Sequence, residues 1–181
     1  MDAKMEDVRY TVKDIMSLPG DKRAELINGD IYMMAPPKYI HQKIVVELAA
    51  DIRNYIRKKN GNCEVIPAPF AVYINDDDSN YVEPDISVIC DRSKLDEDGC
   101  HGAPDWIIEV LSPASRKMDL FIKLNKYRLS GVREYWIVDP ETKAVRVYFF
   151  PKDEEKSYGF SEKIKVNIYD DLELTLADLA D

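Results

Sequence analysis

The stretch that decides the fold is Asp105-Trp106-Ile107-Ile108-Glu109-Val110-Leu111. Because it is apolar on both faces apart from Glu109, it is typical of a central strand buried between two layers. Residues 117–130 then have helical character and end before Gly131, and residues 134–138 form a second apolar run. A buried strand, a helix and another buried strand in succession predict a right-handed crossover between parallel strands.

Other elements can be predicted on both sides of this unit. Asn28-Gly29 separates two runs, residues 23–27 and 30–34, and this pattern predicts a β-hairpin. Residues 41–59 carry apolar side chains at i, i+1, i+4, i+5 and i+8, which predicts a long amphipathic helix. Residues 82–90 read as a strand.

The ends of the chain and its middle give weaker patterns. Residues 11–18 predict a short helix, residues 70–74 alternate like a strand before the acidic loop 76–80, and residues 176–179 predict a last helix. Alternation in 145–149 and 164–168 predicts that these two segments pair as a hairpin. Together the elements predict one α/β domain, residues 1–181, with a mixed sheet flanked by helices.

Composition limits the class of protein. The chain has 181 residues, 45% hydrophobic and 33% charged, as expected for one globular domain. No apolar run approaches the ~20 residues that span a bilayer, and residues 1–8 lack the apolar core of a signal peptide. We therefore expect a cytoplasmic protein without a membrane partner. The three cysteines are odd in number and too dispersed for a disulfide framework, which agrees with that expectation.

Charge is unevenly distributed along the chain. The net charge of −9 argues against a general nucleic-acid binder. Residues 41–59 and 116–128, however, hold ten basic and only three acidic residues. These residues are either the solvated faces of two amphipathic helices or a local surface that contacts phosphate.

Two carboxylates stand out by their positions. Glu109 interrupts a buried strand, where a carboxylate is costly unless it is neutralised, hydrogen-bonded or bound to a metal. It is therefore either a protonated or arginine-paired structural residue or a metal ligand. Asp85 follows Pro84 at the start of the other predicted strand. Considered without Glu109, it would be interpreted as a turn residue at the start of that strand. Two carboxylates on adjacent strands form an oxygen-rich site of the kind that Mg²⁺ prefers.

The order of these motifs resembles the PD-(D/E)XK nuclease superfamily, and the finer pattern is similar to its Uma-type family of restriction endonucleases. The resemblance covers roughly residues 9–150. The similar stretches are Glu25-Leu26-Ile27-Asn28-Gly29-Asp30, residues 33–37 with His41, Glu83-Pro84-Asp85-Ile86, residues 105–113 and residues 131–140. The resemblance implies the restriction-endonuclease-like fold.

It also implies roles for individual residues. Asp85 and Glu109 would ligate Mg²⁺, for which Mn²⁺ is a possible substitute, and the Val110 carbonyl would be a third ligand. Glu25 would add a carboxylate from the first hairpin, although it could equally be a surface charge. His41 would contact the scissile phosphate or tune the site, although it could be a partly buried histidine at a helix start.

The lysine of the superfamily motif is displaced. Leu111 occupies the position two residues after Glu109, so the D/E-x-K pattern is broken. The Uma-type pattern implies that the next helix supplies the lysine, which here is Lys123. At 100° per residue, Lys123 lies at the edge of the stripe formed by Leu120, Leu124 and Tyr127, whereas Lys126 is further round. Lys123 is either a lysine that reaches the site from that edge or a solvated helix residue.

The resemblance implies a Mg²⁺-dependent endonuclease that hydrolyses phosphodiester bonds of nucleic acid, most simply DNA, and leaves a 5′-phosphate. Its catalytic residues would be Asp85, Glu109, Lys123, Glu25 and His41. Cleavage of both strands of a duplex would favour a homodimer. Two other hypotheses are a non-catalytic binding or accessory module and a metal-dependent hydrolase of a small phosphorylated substrate, both of which the net charge favours.

Overall fold

The computed structural model describes residues 9–75, 77–113 and 115–179. Residues 1–8, for which no signal peptide is expected, and Asp76 of the acidic loop lie outside the described residues. The regular elements are, in chain order, α1 (Val12–Met16), β1 (Ala24–Ile27), β2 (Asp30–Met33), α2 (Tyr39–Lys58), β3 (Glu64–Pro67), β4 (Val72–Tyr73), β5 (Ile86–Ile89), β6 (Cys100–His101), β7 (Trp106–Val110), a π-helical segment (Met118–Lys123) that continues into α3 (Leu124–Ser130), β8 (Glu134–Asp139), β9 (Ala144–Phe149), β10 (Glu154–Gly159), β11 (Ile164–Lys165) and β12 (Glu173–Leu174). Short 3₁₀ turns cover Arg92–Lys94, Phe150–Lys152 and Ala177–Leu179.

A mixed sheet of six strands forms the centre of the α/β fold. Its strand order is β10-β9-β8-β7-β5-β3. The central pair, β7 and β8, is parallel, and every other neighbouring pair is antiparallel. Since two parallel strands need a long connection, the π-helical segment and α3 occupy the crossover between β7 and β8. The predicted buried strand, helix and parallel strand are therefore confirmed.

The two faces of the sheet carry separate apolar cores. Ile44, Leu48 and Ile52 of α2 pack on the face that presents Trp106 and Ile108. The opposite face carries a second apolar core, which includes Ile107, Tyr127 and Tyr135. Because side chains alternate along a strand, Glu109 shares the face of Ile107. The carboxylate therefore faces the layer that contains the π-helical segment and α3.

The first hairpin agrees with the prediction. Asn28 and Gly29 both have positive φ, 54° and 82°, as expected of a tight two-residue hairpin turn. A Cβ atom on Gly29 would lie 3.0 Å from the Arg9 side chain, so glycine also suits the close packing at this position. The turn fixes the register of β1 and β2, in which Glu25 lies opposite Tyr32.

The pairing predicted for the C-terminal part is wrong. β9 pairs with β10, a charged segment without apolar alternation, and β11 pairs with β12. An edge strand faces solvent and needs little apolar surface, so β10 lacks the pattern that marks a buried strand. The predicted strand 70–74 is reduced to β4, and β3 at the other edge of the main sheet was not predicted.

The expectation for the cysteines is also wrong. Cys63 and Cys90 form a disulfide between the start of β3 and the end of β5. The two cysteines are 27 positions apart, so spacing alone did not indicate the pairing, which arises because the antiparallel register brings the ends of these strands together. Cys100 is buried and free. Among the described residues, no helix combines the length and apolar character needed to cross a bilayer.

Candidate active site

Asp85 and Glu109 meet at the end of the β5–β7 pair. Ile86 lies opposite Ile108, so Asp85 and Glu109 come one step beyond this pair. The Asp85 amide donates a hydrogen bond to Glu109 Oε2 at 3.3 Å, and the Val110 amide donates to Asp85 Oδ2 at 2.7 Å. The backbone of each strand thus orients the carboxylate of the other.

Glu25 and Lys123 complete a buried cluster around Glu109. Lys123 Nζ lies 2.8 Å from Glu109 Oε1 and 2.8 Å from Glu25 Oε2. Glu25 Oε1 also accepts a hydrogen bond from the Glu83 amide at 2.9 Å, which ties the first hairpin to the segment before β5. Only 4% of the Lys123 side chain and 1% of the Glu25 side chain are exposed, so Glu25 is not a surface charge of the hairpin.

The position predicted for Lys123 needs a correction. Lys123 is itself buried rather than placed at the edge of a buried stripe, and two residues of that stripe, Leu120 and Leu124, are only partly buried. The α-helical angle of 100° per residue does not apply here, because Met118–Lys123 is π-helical and each of its turns contains more residues. Lys126, the alternative lysine, is turned away and donates to Asn28 Oδ1 at 3.0 Å.

Two further members of the cluster were not found from sequence. The Tyr127 hydroxyl donates to Glu109 Oε1 at 2.9 Å, and Asp119 Oδ1 lies 3.5 Å from Lys123 Nζ. The i, i+4 spacing of Asp119 and Lys123 was a usable signal for an ion pair. No spacing rule could have indicated Tyr127, because its contact with β7 depends on how the π-helical segment packs on the sheet.

His41 lies at the mouth of the cluster, in the first turn of α2. Its Nε2 is 3.1 Å from Asp85 Oδ2, and its Nδ1 is 3.1 Å from Gln42 Oε1. Burial lowers the pKa of His41, but the hydrogen bond and the charge of Asp85 outweigh it and raise the pKa above 6.5. The geometry therefore joins His41 to Asp85.

The cluster has more acidic groups than its lysine can balance. Burial raises the pKa of Glu109 well above its usual value, and Asp119, Asp85 and Glu25 add to this effect against the opposing charge of Lys123. Burial lowers the pKa of Lys123, but the surrounding carboxylates outweigh it and raise the pKa well above 10.5. We conclude that Lys123 is charged and that a negative charge remains to be balanced by a proton or by a bound cation.

The donor set suits a hard cation that retains water. Within the described part of the chain, the buried oxygen Asp119 Oδ1 has no hydrogen-bond partner, and the Asp85 side chain is 16% exposed. Residues 9–75, 77–113 and 115–179 contain no group of three or more His, Cys, Asp or Glu arranged to enclose an ion. Mg²⁺ commonly binds through one or two carboxylates and several waters, so an all-protein cage is not required.

A cavity of about 540 Å³ opens over these residues, and we call it the carboxylate pocket. Glu25, Asp85, Glu109, Lys123 and His41 line one side of it, so it brings all five predicted catalytic side chains together. The structure shows that the Val110 amide donates a hydrogen bond to the Asp85 carboxylate. The role of the Val110 carbonyl as a ligand stays a prediction.

Individual proteins similar to this chain include a sequence relative and a solved structure. This chain is 27% identical over 128 residues to the protein slr1290 of Synechocystis sp.. The aligned stretch covers 70% of this chain and 66% of that protein. The crystal structure of a putative nuclease belonging to DUF820 from Anabaena variabilis superposes with a TM-score of 0.76 and 24% identity. That superposition covers 94% of this chain and 97% of the other, and it shows that the two chains share the fold.

The family is shown by a longer match. The family model Uma2, described as "Putative restriction endonuclease", matches residues 12–177. This range contains the first hairpin, the six-stranded sheet, the π-helical segment and all members of the carboxylate cluster. The chain therefore belongs to the Uma2 restriction-endonuclease family.

Proposed function

We propose that this single domain is a Mg²⁺-dependent endonuclease that hydrolyses phosphodiester bonds of nucleic acid. The observation that carries the proposal is the position of Lys123, whose ammonium lies 2.8 Å from the carboxylate of Glu109 in the central strand. The acid and the cation expected of the nuclease motif are therefore adjacent, although Leu111 separates them in sequence.

Asp85 and Glu109 are the residues that we propose to hold the cation. Asp85 is oriented by the Val110 amide and faces the carboxylate pocket, and Glu109 shares the same end of the β5–β7 pair. When bound, Mg²⁺ would polarise the phosphate and lower the pKa of a coordinated water. Mn²⁺ is a possible substitute because it accepts the same oxygen ligands.

Lys123, held in place by Glu25, is proposed to stabilise the negative charge of the reacting phosphate. The Lys123 ammonium is held on both sides by Glu25 and Glu109, so its position is set before substrate binds. A preorganised cation can stabilise the negative charge that develops on the phosphate, because no side chain has to reorient during the reaction. Glu25 is thus proposed to position Lys123.

The N-terminus of α2 provides an environment for a phosphate. Lys38, His41 and Gln42 line the carboxylate pocket at the first turn of this 20-residue helix. The backbone N–H groups of a first turn and the helix dipole favour an anion. His41 can donate to a phosphate oxygen or retain its contact with Asp85.

The direct test is cleavage of end-labelled DNA and RNA in the presence of Mg²⁺ or Mn²⁺, with EDTA as the metal-free condition. We expect metal-dependent cleavage by the parent and a loss of at least about 100-fold in Asp85→Asn. Asparagine still accepts from the Val110 amide, so the variant should melt close to the parent. Leu129→Ala is the control, because Leu129 is 77% exposed and does not line the pocket.

Calorimetric titration with Mn²⁺ provides a readout that does not depend on turnover. We expect binding by the parent and weaker binding by Asp85→Asn. Cleavage by Asp85→Asn at the rate of the parent would contradict the proposed role of Asp85.

A second candidate function is a non-catalytic accessory module on the same fold. The burial of Lys123 and its pairing with Glu25 and Glu109 favour it, because an ion cluster of this kind can serve structure alone. A parent protein that cleaves no nucleic acid and binds no Mn²⁺ would support this alternative.

A further inference from the structure

We infer that the carboxylate pocket accepts an unpaired nucleotide, so that the preferred substrate is single-stranded nucleic acid or a strand with an extruded base. This inference rests on the proposed nuclease function and specifies its substrate. It is carried by two independent properties of the pocket, the sign of its charge and the chemistry of its walls.

The charge of the pocket is unfavourable for an intact duplex. The lining contains five carboxylates but only three lysines or arginines, which are Arg23, Lys38 and Lys123. Lys123 is paired with Glu109 and Glu25, and Arg23 Nε donates to Glu83 at 3.0 Å. Of these three, Lys38 alone has no carboxylate partner among the residues that the structure describes. Duplex affinity comes mainly from neutralised phosphates, and the pocket offers few free cations for two backbones.

The basic segment 116–128 changes this balance little. Within residues 116–128, Lys123 and Lys126 are buried, and Arg116 is held by Asp139 and Glu141. Arg128 is also paired, with Asp153. Lys117 is exposed, and it is the one basic residue of this described segment that is neither buried nor paired, so the segment does not form a continuous phosphate-facing surface.

The walls of the pocket are apolar and suit a nucleobase. Met33, Met34 and Met118 line it together with four prolines and two alanines. Met33 is 57% exposed, so it can contact a ligand without displacing a core residue. Methionine is flexible and polarizable and packs favourably against aromatic rings. Stacking of this kind tolerates every base, because every base has an aromatic face.

The apolar walls and the proposed phosphate site are adjacent, so a nucleotide could fill both at once. The apolar walls adjoin Asp85, His41 and the first turn of α2, where we propose that the phosphate binds. A paired base is stacked inside a duplex and cannot reach such walls, whereas an unpaired or flipped base can. The class of substrate follows from this combination.

The test compares three DNA substrates of one sequence with Mn²⁺: a single strand, a perfectly paired duplex and a duplex with one bulged nucleotide. We expect cleavage of the single strand, and of the bulged duplex at its bulge, on the order of 10-fold faster than cleavage of the paired duplex. A matching RNA single strand shows whether the sugar matters. Cleavage of the paired duplex at an equal or higher rate would overturn the inference while leaving the nuclease proposal intact.

Variants of the wall identify the pocket as the origin of this preference. Met33→Ala should raise KM for the single strand by about 2- to 10-fold, without a similar change for the paired duplex. Leu129→Ala should leave both values unchanged. If no substrate is cleaved, the nuclease proposal fails, and anisotropy of labelled single strand and duplex then decides the inference. Equal or tighter binding of the duplex would refute it.

Discussion

Lys123 Nζ lies 2.8 Å from Glu109 Oε1, although the two residues are 14 positions apart and belong to different elements. In the D/E-x-K arrangement both side chains would lie on one strand, where Leu111 is found here. The π-helical segment instead brings the cation back to the strand from the following element. This relationship makes the cluster a link between β7 and the crossover, so the same contacts affect stability and chemistry.

Removing the Lys123 charge should destabilise the fold. Lys123→Met leaves Glu25 and Glu109 buried without their cation, and breaking a buried ion pair costs about 3–5 kcal/mol. We expect a loss of this size in the free energy of unfolding, measured by urea denaturation. Adding Glu25→Gln should recover part of it, because one uncompensated carboxylate is then neutral.

The matched control for this prediction is Lys117→Met, which removes an exposed lysine from the same stretch. Changes at such a surface position are usually within about 0.5 kcal/mol. Equal unfolding midpoints for Lys123→Met and Lys117→Met would show that the contacts of Lys123 do not stabilise the fold.

Turnover separates the chemical role of Lys123 from its structural one. Lys123→Arg retains the charge, but a planar guanidinium cannot reproduce the contacts of a compact ammonium with Glu25 and Glu109. We expect a loss on the order of 10²-fold in single-turnover cleavage, larger than any change in Mn²⁺ affinity. Lys117→Arg and Lys126→Arg are the comparisons. A greater loss in either of them than in Lys123→Arg would contradict the assignment.

The Tyr127 hydroxyl is predicted to position Glu109. Its hydrogen bond to Glu109 Oε1 is fully buried, so Tyr127→Phe should cost about 1–3 kcal/mol of stability and lower kcat more than it changes KM. Tyr55→Phe is a suitable control, because the Tyr55 hydroxyl also donates to a carboxylate, that of Asp171, but at the exposed surface. Similar effects of the two substitutions would argue against a positioning role for Tyr127.

The sequence predicted the centre of the fold better than its edges. The apolar strands and the amphipathic helix follow from local periodicity, and the first hairpin follows from the Asn28-Gly29 pair between two runs. Glu109 could be singled out because a carboxylate is conspicuous in an apolar strand. The partner of β9 could not be predicted, since alternation marks a strand but does not say which strand it pairs with.

The candidate site was predictable as a set of residues but not as a geometry. Spacing and resemblance singled out Asp85, Glu109 and Lys123, whose roles stay predictions. The burial of Lys123 depends on a π-helical segment, which no pattern in residues 118–123 indicates. The Cys63–Cys90 disulfide depends likewise on the register of two strands that are far apart in sequence.

A last prediction concerns the connection that holds the segment of Lys123 in place. Arg116 Nη1 donates to Asp139 Oδ2 at 2.9 Å and Nη2 to Asp139 Oδ1 at 3.1 Å, which joins the chain after β7 to the end of β8. The Glu141 amide also donates to Asp139 Oδ1. Partial burial raises the pKa of Asp139, but these hydrogen bonds outweigh it and lower the pKa below 3.8.

An acid with a lowered pKa in the folded state stabilises the protein above its unfolded pKa, and this contribution is lost as the pH falls through the folded value. Asp139→Asn should therefore cost about 1–3 kcal/mol at neutral pH. The difference from the parent should shrink as the pH falls from 3.8 through the lower pKa of the folded state, at which the parent's carboxylate becomes protonated. Urea denaturation at a series of pH values measures this difference.

Asp153→Asn, which removes an exposed partner of Arg128, should change stability little at any pH. A difference between Asp139→Asn and parent that does not depend on pH would show that the charge of Asp139 does not hold the segment.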